Sequence, residues 1–291
     1  MTVPSSADNN SAQAAFSAAA VAPSVDPVEA RRFDLARVPE PLRSDLAADP
    51  AIALALRSRE LRVEDAPESH PQGTQVCAFF DIDGTLLPGS IVGQMVIEAV
   101  DEGRLHWWTY LGFAFFYILY KINLIPRLRM YRWGYGLGAG VALSESIEYT
   151  RKGVDNRVIP RIYKRARELL AEHRAQGHRL VAITGAPDYA AARVAADLGF
   201  DDVLATPTPV DGAVMGSELA GPLCYAEGKV AYALAYAQKH DIDLDASYFY
   251  SDSRSDLPLL EKVGHPVCVN PQTLLRWVAW RRGWPVIKLR K

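Results

Sequence analysis

The chain has 291 residues, an apolar content of 49% and a formal net charge of −2. This length suits one large domain or one domain with an insertion, and the near-neutral charge gives no global support for binding nucleic acid or an anionic membrane. The three cysteines lack metal-site spacing, and the N-terminus lacks the basic and apolar regions of a secretory signal. We therefore expect buried free thiols at Cys77 and Cys268 and a cytoplasmic location.

The N-terminal quarter of the chain divides into two segments. Residues 1–30 are rich in Ala, Ser, Val and Pro and are predicted to be disordered. Residues 31–75 are predicted to hold a helix and a polar linker, because Asp49 and Pro50 precede an apolar run that ends near Arg62. This helix either packs on the main domain or forms a regulatory or oligomerisation arm.

The main domain is predicted to begin near Val76 with a buried strand, Val76 to Phe80. Further strand-like runs alternate with helical patterns, and this alternation predicts a parallel sheet covered on both faces. The expected fold class is therefore α/β, a three-layer Rossmann-like sheet with an inserted α-helical cap. The predicted later strands are 179–183, 202–205, 247–250 and 266–269, and the predicted helices are 160–176, 187–198, 227–240 and 256–263.

Residues 88–158 interrupt the alternation and are predicted to form the helical cap, which leaves 76–87 and 159–291 as the core. Within the cap, residues 105–125 are almost wholly apolar. Such a helix is buried, interfacial or membrane-spanning. Three interpretations stay open: a packed cap or homodimer interface, an apolar substrate pocket or membrane-surface contact, and a true span.

Two basic stretches have a structural and a functional interpretation. The arginines at 127, 129 and 132 form either a solvated basic face or a clamp for an anionic substrate or lipid headgroup. The C-terminal segment from Trp277 to Lys291 mixes aromatics and cations. It is interpreted as a structural helix and strand, with membrane-surface contact as the alternative. Nucleic-acid binding is not supported, because the basic cluster is short.

Four separated motifs carry the chemistry. Each is weak alone, but all lie at predicted strand ends or helix starts. Because ligands bind at the carboxyl ends of parallel strands, the motifs are expected to converge on one rim. Two carboxylates two residues apart on a glycine turn suit phosphoryl transfer. The motifs are Asp81-Ile82-Asp83-Gly84-Thr85, Ile183-Thr184-Gly185-Ala186-Pro187, Glu227-Gly228-Lys229 and Tyr250-Ser251-Asp252-Ser253-Arg254-Ser255-Asp256.

In these motifs and their order, residues 76–287 resemble the haloacid dehalogenase superfamily of phosphohydrolases. The stretches around Lys229, Asp252 and Asn270 are most similar to its phosphoserine-phosphatase-like subgroup (subfamily IB), which has a helical cap. The resemblance implies a Mg²⁺-dependent phosphomonoester hydrolase that acts through an aspartyl-phosphate on a phosphorylated small molecule.

The resemblance also implies a role for each motif residue. Asp81 matches the nucleophile and Asp83 the general acid and base. Lys229 is expected to offset the negative charge at the reaction centre, and Asp256 to orient Lys229 or a metal water. The implied metal ligands are the carboxylates of Asp81 and Asp252 and the backbone carbonyl of Asp83.

The phosphoryl oxygens are expected to be held by one hydroxyl and three backbone amides. The hydroxyl is that of Thr184. The amides are those of Gly84, Thr85 and Gly185.

Departures from the subgroup leave the substrate open. Its true phosphoserine phosphatases usually carry Asp-Ser-Thr where this chain has Asp83-Gly84-Thr85, and a substrate-reading glutamate where this chain has Ser90. Two alternatives therefore remain, a lipid-phosphate phosphatase (such as one for phosphatidylglycerophosphate) and a non-catalytic regulatory protein that keeps the fold. The apolar cap motivates the first, and the N-terminal arm motivates the second.

Overall fold

A computed structural model describes residues 48–68, 71–108, 111–112, 115–116, 119, 124 and 127–290. The predicted disorder at 1–30 lies outside these residues, as does part of the apolar run at 105–125. The helices are α1 (Pro50–Arg59), α2 (Ile91–Asp101), α3 (Arg127–Gly138), α4 (Leu143–Gly153), α5 (Lys164–Ala175), α6 (Asp188–Leu198), α7 (Glu227–Lys239), α8 (Leu257–Leu260) and α9 (Thr273–Arg282). The strands are β1 (Cys77–Phe80), β2 (Arg179–Pro187), β3 (Asp202–Thr206), β4 (Val210–Asp211), β5 (Val214–Met215), β6 (Tyr248–Ser251), β7 (His265–Val269) and β8 (Val286–Ile287).

Six strands form one sheet in the order β3-β2-β1-β6-β7-β8, and every pairing in it is parallel. Strand β1 lies in the middle because the chain builds outward first through β2 and β3 and then returns to the other side through β6. The predicted α/β parallel sheet is confirmed. A crevice for a ligand is expected at the carboxyl end of β1, where the strand order reverses.

Helices cover the sheet on both faces, which explains why β1 reads as a continuous apolar run. All four of its residues are buried. Since successive side chains of a strand point to opposite faces, Phe79 and Phe80 pack into different cores. Each buried phenylalanine contributes roughly 1.5–3 kcal/mol relative to an exposed one. The chain's three cysteines are free and buried, as expected for Cys77 and Cys268.

Helix α1 packs on the core beside β3 and α6. Its N-cap is Asp49, whose carboxylate accepts a hydrogen bond of 2.8 Å from the Ala51 amide. Two ion pairs then fix the helix: Arg57 Nε lies 2.8 Å from Asp202 Oδ1, and Arg59 Nε lies 2.5 Å from the buried Asp188 Oδ2. These contacts favour the packing interpretation of this helix over a separate arm.

The inserted segment between β1 and β2 includes α2, α3 and α4. Glu98 of α2 is buried and forms an ion pair with Arg157. This contact connects α2 to the turn that follows α4. Trp107, Trp108 and Phe115 are exposed. In the part of the chain that the structure describes, no helix has the length and apolar character needed to cross a membrane.

The arginines at the start of α3 lie at the surface where they are described. Arg129 is exposed, and the exposed Arg132 lies 3.6 Å from Glu218. This arrangement favours the solvated basic face for these two residues. The side chain of the arginine at 127 lies outside the described set.

A buried histidine, His173, is expected to make the stability of the fold depend on pH. His173 Nε2 lies 2.7 Å from the Tyr250 hydroxyl, and its Nδ1 lies 2.7 Å from His178 Nδ1. Burial, assisted by His178, lowers the pKa of His173 to about 4. The unfolded chain binds this proton near pH 6.5, so between these values the unfolded state carries more protons and stability falls as pH falls.

We expect His173 to contribute a loss of roughly 2 kcal/mol in the free energy of unfolding between pH 7 and pH 5. Denaturant unfolding at both pH values measures it, with His173→Gln as the comparison because glutamine does not titrate. The pH-dependent loss should be smaller in the variant by this amount. Equal losses in both proteins would contradict the assignment.

Candidate active site

Three motifs meet at the carboxyl edge of the sheet. Asp81 directly follows β1, and its amide donates a 2.9 Å hydrogen bond to the carbonyl of Tyr250, so the chain stays paired to β6 up to the turn that begins at Asp81. Asp252 directly follows β6. Thr184 was predicted just beyond a strand ending at Ile183, but β2 continues to Pro187 with a register shift against β3. Thr184 therefore lies in an irregular part of the strand.

Lys229 reaches Asp81 from the helix start that was predicted to carry it. Its side chain is 2% exposed, and Nζ lies 2.7 Å from Asp81 Oδ1 and 2.8 Å from Asp256 Oδ2. Ser251 donates a further 2.7 Å bond to Asp256 Oδ2. Burial alone would lower the pKa of Lys229, but the carboxylates of Asp256 and Asp81 outweigh burial and raise it. Lys229 is therefore a cation at neutral pH.

The start of α7 needs glycine at position 228. A Cβ there would lie 2.0 Å from the carbonyl oxygen of Leu223, which is closer than any real contact. The preceding Ala226 has a φ of +50°, a conformation that L-residues rarely adopt. The tight turn brings the first helical residues against the sheet, and this places Lys229 beside Asp81.

Thr85 joins the first motif to the fourth through its side chain. Its buried hydroxyl lies 3.1 Å from Asp81 Oδ2 and accepts a 3.0 Å hydrogen bond from the Asp252 amide. Its own amide donates to the carbonyl of Ile82 at 3.2 Å. The predicted phosphate contact through the Thr85 amide is therefore in competition with a turn hydrogen bond, whereas the hydroxyl has a positioning role that the motif did not indicate.

Asp83 contacts the start of α2, the first described helix of the cap. Its Oδ1 accepts a 2.9 Å hydrogen bond from the amide of Ile91, the first residue of α2. Burial raises the pKa of Asp83 to about 6, although the Ile91 amide acts in the opposite direction. A carboxyl group that titrates near neutral pH suits proton transfer in both directions.

The acidic side chains here can accommodate a divalent cation. Asp81, Asp252 and Asp256 are all at least nine-tenths buried, and these three carboxylates outnumber the Lys229 ammonium that faces them. Burial is the main cause that raises the pKa of Asp81 and of Asp252, so their ionised forms need further compensation. A hard cation at this position would supply it.

The donor set suits Mg²⁺ better than a metal that prefers a complete protein cage. Across the described residues, no three His, Cys, Asp or Glu side chains are grouped as metal ligands. Two carboxylates, a backbone carbonyl and waters form an oxygen set of the kind that Mg²⁺ takes. The residues present therefore fit the predicted ion.

The Asp252 carboxylate can lie close to the backbone at position 84 because Gly84 has no side chain. Its φ is +82°, and a Cβ would lie 2.6 Å from Asp252 Oδ2. We expect Gly84→Ala to lower the free energy of unfolding by about 1–2 kcal/mol because of the left-handed backbone. We also expect a loss of hydrolytic activity because the Asp252 carboxylate must move.

Thermal unfolding and phosphate release measure the two effects of Gly84→Ala. Gly89→Ala is the matched control, since Gly89 has a similar φ of +83° but a Cβ there would meet nothing within 4 Å. The control should lose stability and keep activity. If both variants kept full activity, the close approach of Gly84 and Asp252 would have no catalytic consequence.

Sequence reasoning missed two further contacts at this site. Gln272 lies just before α9. Its side-chain amide donates a 3.1 Å hydrogen bond to Asp252 Oδ2, and its backbone amide donates a hydrogen bond to the Asp252 carbonyl oxygen. Tyr131 of α3 donates a 2.5 Å hydrogen bond to the carbonyl of Gly185. Both residues are far from the motifs in sequence, and a single glutamine or tyrosine gives no local signal.

Comparison with known proteins shows the family of this chain. Residues 78–261 match the family model of the haloacid dehalogenase-like hydrolases. Phosphoserine phosphatase SerB1 of Mycobacterium tuberculosis is 32% identical over 228 residues, which cover 74% of this chain and 71% of that protein. A probable phosphatase of the same species is 30% identical over 230 residues, 76% of this chain and 79% of that protein.

A solved structure has a similar fold. A Bordetella pertussis protein of unknown function superimposes with a TM-score of 0.69 at 26% identity, covering 75% of this chain and 100% of that chain. The matched family residues begin inside β1 and end after α8, so they include the turn from Asp81 to Thr85, Lys229 and Asp252. The chain therefore belongs to the haloacid dehalogenase-like hydrolases and is a phosphatase-like enzyme of that family.

Proposed function

We propose that this protein is a Mg²⁺-dependent phosphomonoester hydrolase that acts through an aspartyl-phosphate on Asp81. The observation that carries the proposal is the buried contact of 2.7 Å between Lys229 Nζ and Asp81 Oδ1. Burial raises the pKa of Asp81, and the Lys229 ammonium acts in the opposite direction, so it favours the ionised carboxylate; a bound cation would add to this effect. An ionised, oriented carboxylate at the end of a central strand is a competent nucleophile.

In the first half-reaction a carboxylate oxygen of Asp81 forms a bond to phosphorus, and the bond from phosphorus to the leaving alcohol oxygen breaks. Asp83 gives its proton to that oxygen. In the second half-reaction Asp83 takes a proton from water, the water oxygen bonds to phosphorus, and the bond to Asp81 breaks. The products are an alcohol and inorganic phosphate, and both aspartates return to their starting states.

The carboxylates of Asp81 and Asp252 and the backbone carbonyl of Asp83 would hold Mg²⁺. When bound, the ion supplies positive charge that reduces the repulsion between the nucleophile and the phosphate. Thr184 and the amides of Gly84 and Gly185 would bind the phosphoryl oxygens. Asp256 holds Lys229 in position through its 2.8 Å contact.

The proposed substrate is a small-molecule phosphate monoester, and free phosphoserine is not favoured among these. Ser90 occupies the position at which related phosphoserine phosphatases carry a glutamate. Its hydroxyl is the N-cap of α2 and accepts a 3.1 Å hydrogen bond from the Gly93 amide. An uncharged, already bonded side chain gives little attraction to a substrate ammonium group.

A lipid phosphate is the second candidate, and one observation favours it. Trp107, Trp108 and Phe115 expose large apolar side chains on the inserted segment. Such residues are typical of a surface that meets the membrane interface. The third alternative, a regulatory protein without activity, is disfavoured by the intact contact between Lys229 and Asp81.

A phosphate-release screen tests the proposal. The purified chain is assayed with an aryl phosphate, then with amino-acid, sugar and nucleotide phosphates in solution and with micellar lipid phosphates. We expect turnover with Mg²⁺, loss of turnover with a chelator, and recovery on adding Mg²⁺ back. Turnover that is indifferent to the chelator would overturn the metal dependence, and a clear preference for phosphoserine would overturn the substrate argument.

A further inference from the structure

A tyrosine hydroxyl group of the cap contacts the irregular end of β2 (residues 184–187), which carries the proposed phosphate-binding residues Thr184 and Gly185. Tyr131 lies on α3, and its hydroxyl donates a 2.5 Å hydrogen bond to the carbonyl oxygen of Gly185. A Cβ at position 185 would lie 2.9 Å from the Tyr131 hydroxyl oxygen, so a larger residue there would displace this hydroxyl. The contact spans 54 residues of sequence and joins the inserted segment to β2.

The peptide unit that joins Gly185 to Ala186 also contacts Thr184. The carbonyl of Gly185 and the amide of Ala186 belong to one planar group, so a hydrogen bond to the carbonyl fixes the direction of the amide. The Ala186 amide donates a 3.2 Å hydrogen bond to Thr184 Oγ1. Tyr131 is therefore connected to the Thr184 hydroxyl through a single rigid unit.

This arrangement determines how Thr184 uses its hydroxyl. A threonine hydroxyl has one donor and two acceptor sites. Because its oxygen accepts from the Ala186 amide, its own proton is directed elsewhere and can be donated to an acceptor in the site. Thr184 is fully buried, so bulk water does not compete for this proton. A phosphoryl oxygen is an acceptor of the required kind.

We propose that Tyr131 is a positioning residue by which the cap orients the Thr184 hydroxyl toward a phosphoryl oxygen. The proposal rests on the proposed function, because it assigns Thr184 to phosphate binding. It adds a residue from the cap to the determinants of phosphate affinity. The affinity for phosphate then depends on whether α3 lies against β2.

The chain provides a matched control one helical turn away. Tyr135 also lies on α3 and is nine-tenths buried, but its hydroxyl has no hydrogen-bond partner among the residues that the structure describes. Tyr131→Phe and Tyr135→Phe remove the same atom from the same helix. Only Tyr131→Phe removes a contact with the irregular end of β2.

The test measures binding of inorganic phosphate by the full chain with Mg²⁺, using isothermal titration calorimetry. Loss of one hydrogen bond predicts that Tyr131→Phe raises the Kd for phosphate about 5- to 10-fold. Tyr135→Phe should leave the Kd unchanged. In turnover of an aryl phosphate, Tyr131→Phe should raise KM by the same factor and lower kcat less than about 2-fold, as loss of uniform binding requires.

A double-mutant cycle with Thr184→Val shows whether Tyr131 acts through Thr184. We expect Tyr131→Phe to weaken phosphate binding in the wild-type background and to have no further effect in the Thr184→Val background. Additive effects, or equal Kd values for Tyr131→Phe and Tyr135→Phe, would overturn the proposal. Because binding of phosphate does not need turnover, a wild-type chain that binds phosphate without releasing it from esters would refute the proposed function alone.

Discussion

Asp81→Asn is expected to abolish phosphate release, with a loss in kcat of at least about a thousandfold. The amide of asparagine is a far weaker nucleophile than a carboxylate, and no other group is placed to form the covalent intermediate in the proposed mechanism. The fold should survive the change. Asp81 shares its buried surroundings with Asp252 and Asp256, so removing one negative charge relieves repulsion.

Two measurements make this result interpretable. The free energy of unfolding of Asp81→Asn should lie within about 1 kcal/mol of the wild-type value. Asp211→Asn, at an exposed position on β4, is the control for the substitution itself and should keep full activity. An active Asp81→Asn protein would contradict the nucleophile assignment.

Lys229→Met is expected to damage both stability and catalysis. Methionine has a similar length without the charge, so it leaves Asp81 and Asp256 buried with no ammonium between them. Removing one partner of a buried ion pair typically costs about 3–5 kcal/mol in the free energy of unfolding. We also expect a loss in kcat of at least about a hundredfold, because positive charge no longer faces the reaction centre.

Lys239→Met is the matched control for this change. Lys239 ends the same helix as Lys229, but its side chain is exposed. Denaturant unfolding should show wild-type stability for the control and a marked loss for Lys229→Met. If the two variants had the same stability and activity, the buried contacts of Lys229 would have no energetic weight.

Much of the fold could be predicted because its strands are buried on both faces. Continuous apolar runs such as Cys77–Phe80 and residues 267–269 are flanked by helical patterns, and local sequence is enough to find them. The hairpin of β4 and β5 was not predicted, since two residues per strand are too few to show a period. The continuation of β2 past Thr184 was also missed, because it depends on pairing with β3.

The candidate site was predictable where its chemistry lies in short motifs. Asp81, Lys229, Asp252 and Asp256 lie together as their positions at strand ends and helix starts indicate. The contacts between distant segments could not be predicted. Which hydroxyl of the cap reaches Gly185 depends on how α3 folds back on the core, and neither Tyr131 nor Tyr135 differs in local sequence in a way that decides it.

The most direct measurement of the central claim is the site of phosphorylation during turnover. The enzyme is mixed with an aryl phosphate and Mg²⁺, quenched in acid within the steady state, digested and analysed by mass spectrometry. Asp83→Asn, which lacks the proposed base for hydrolysis, should accumulate more of the intermediate than the wild type. The account predicts a phosphoryl group on the peptide that contains Asp81 and none in Asp81→Asn. Turnover in the wild type with no phosphoryl group on Asp81, in either the wild type or Asp83→Asn, would contradict it.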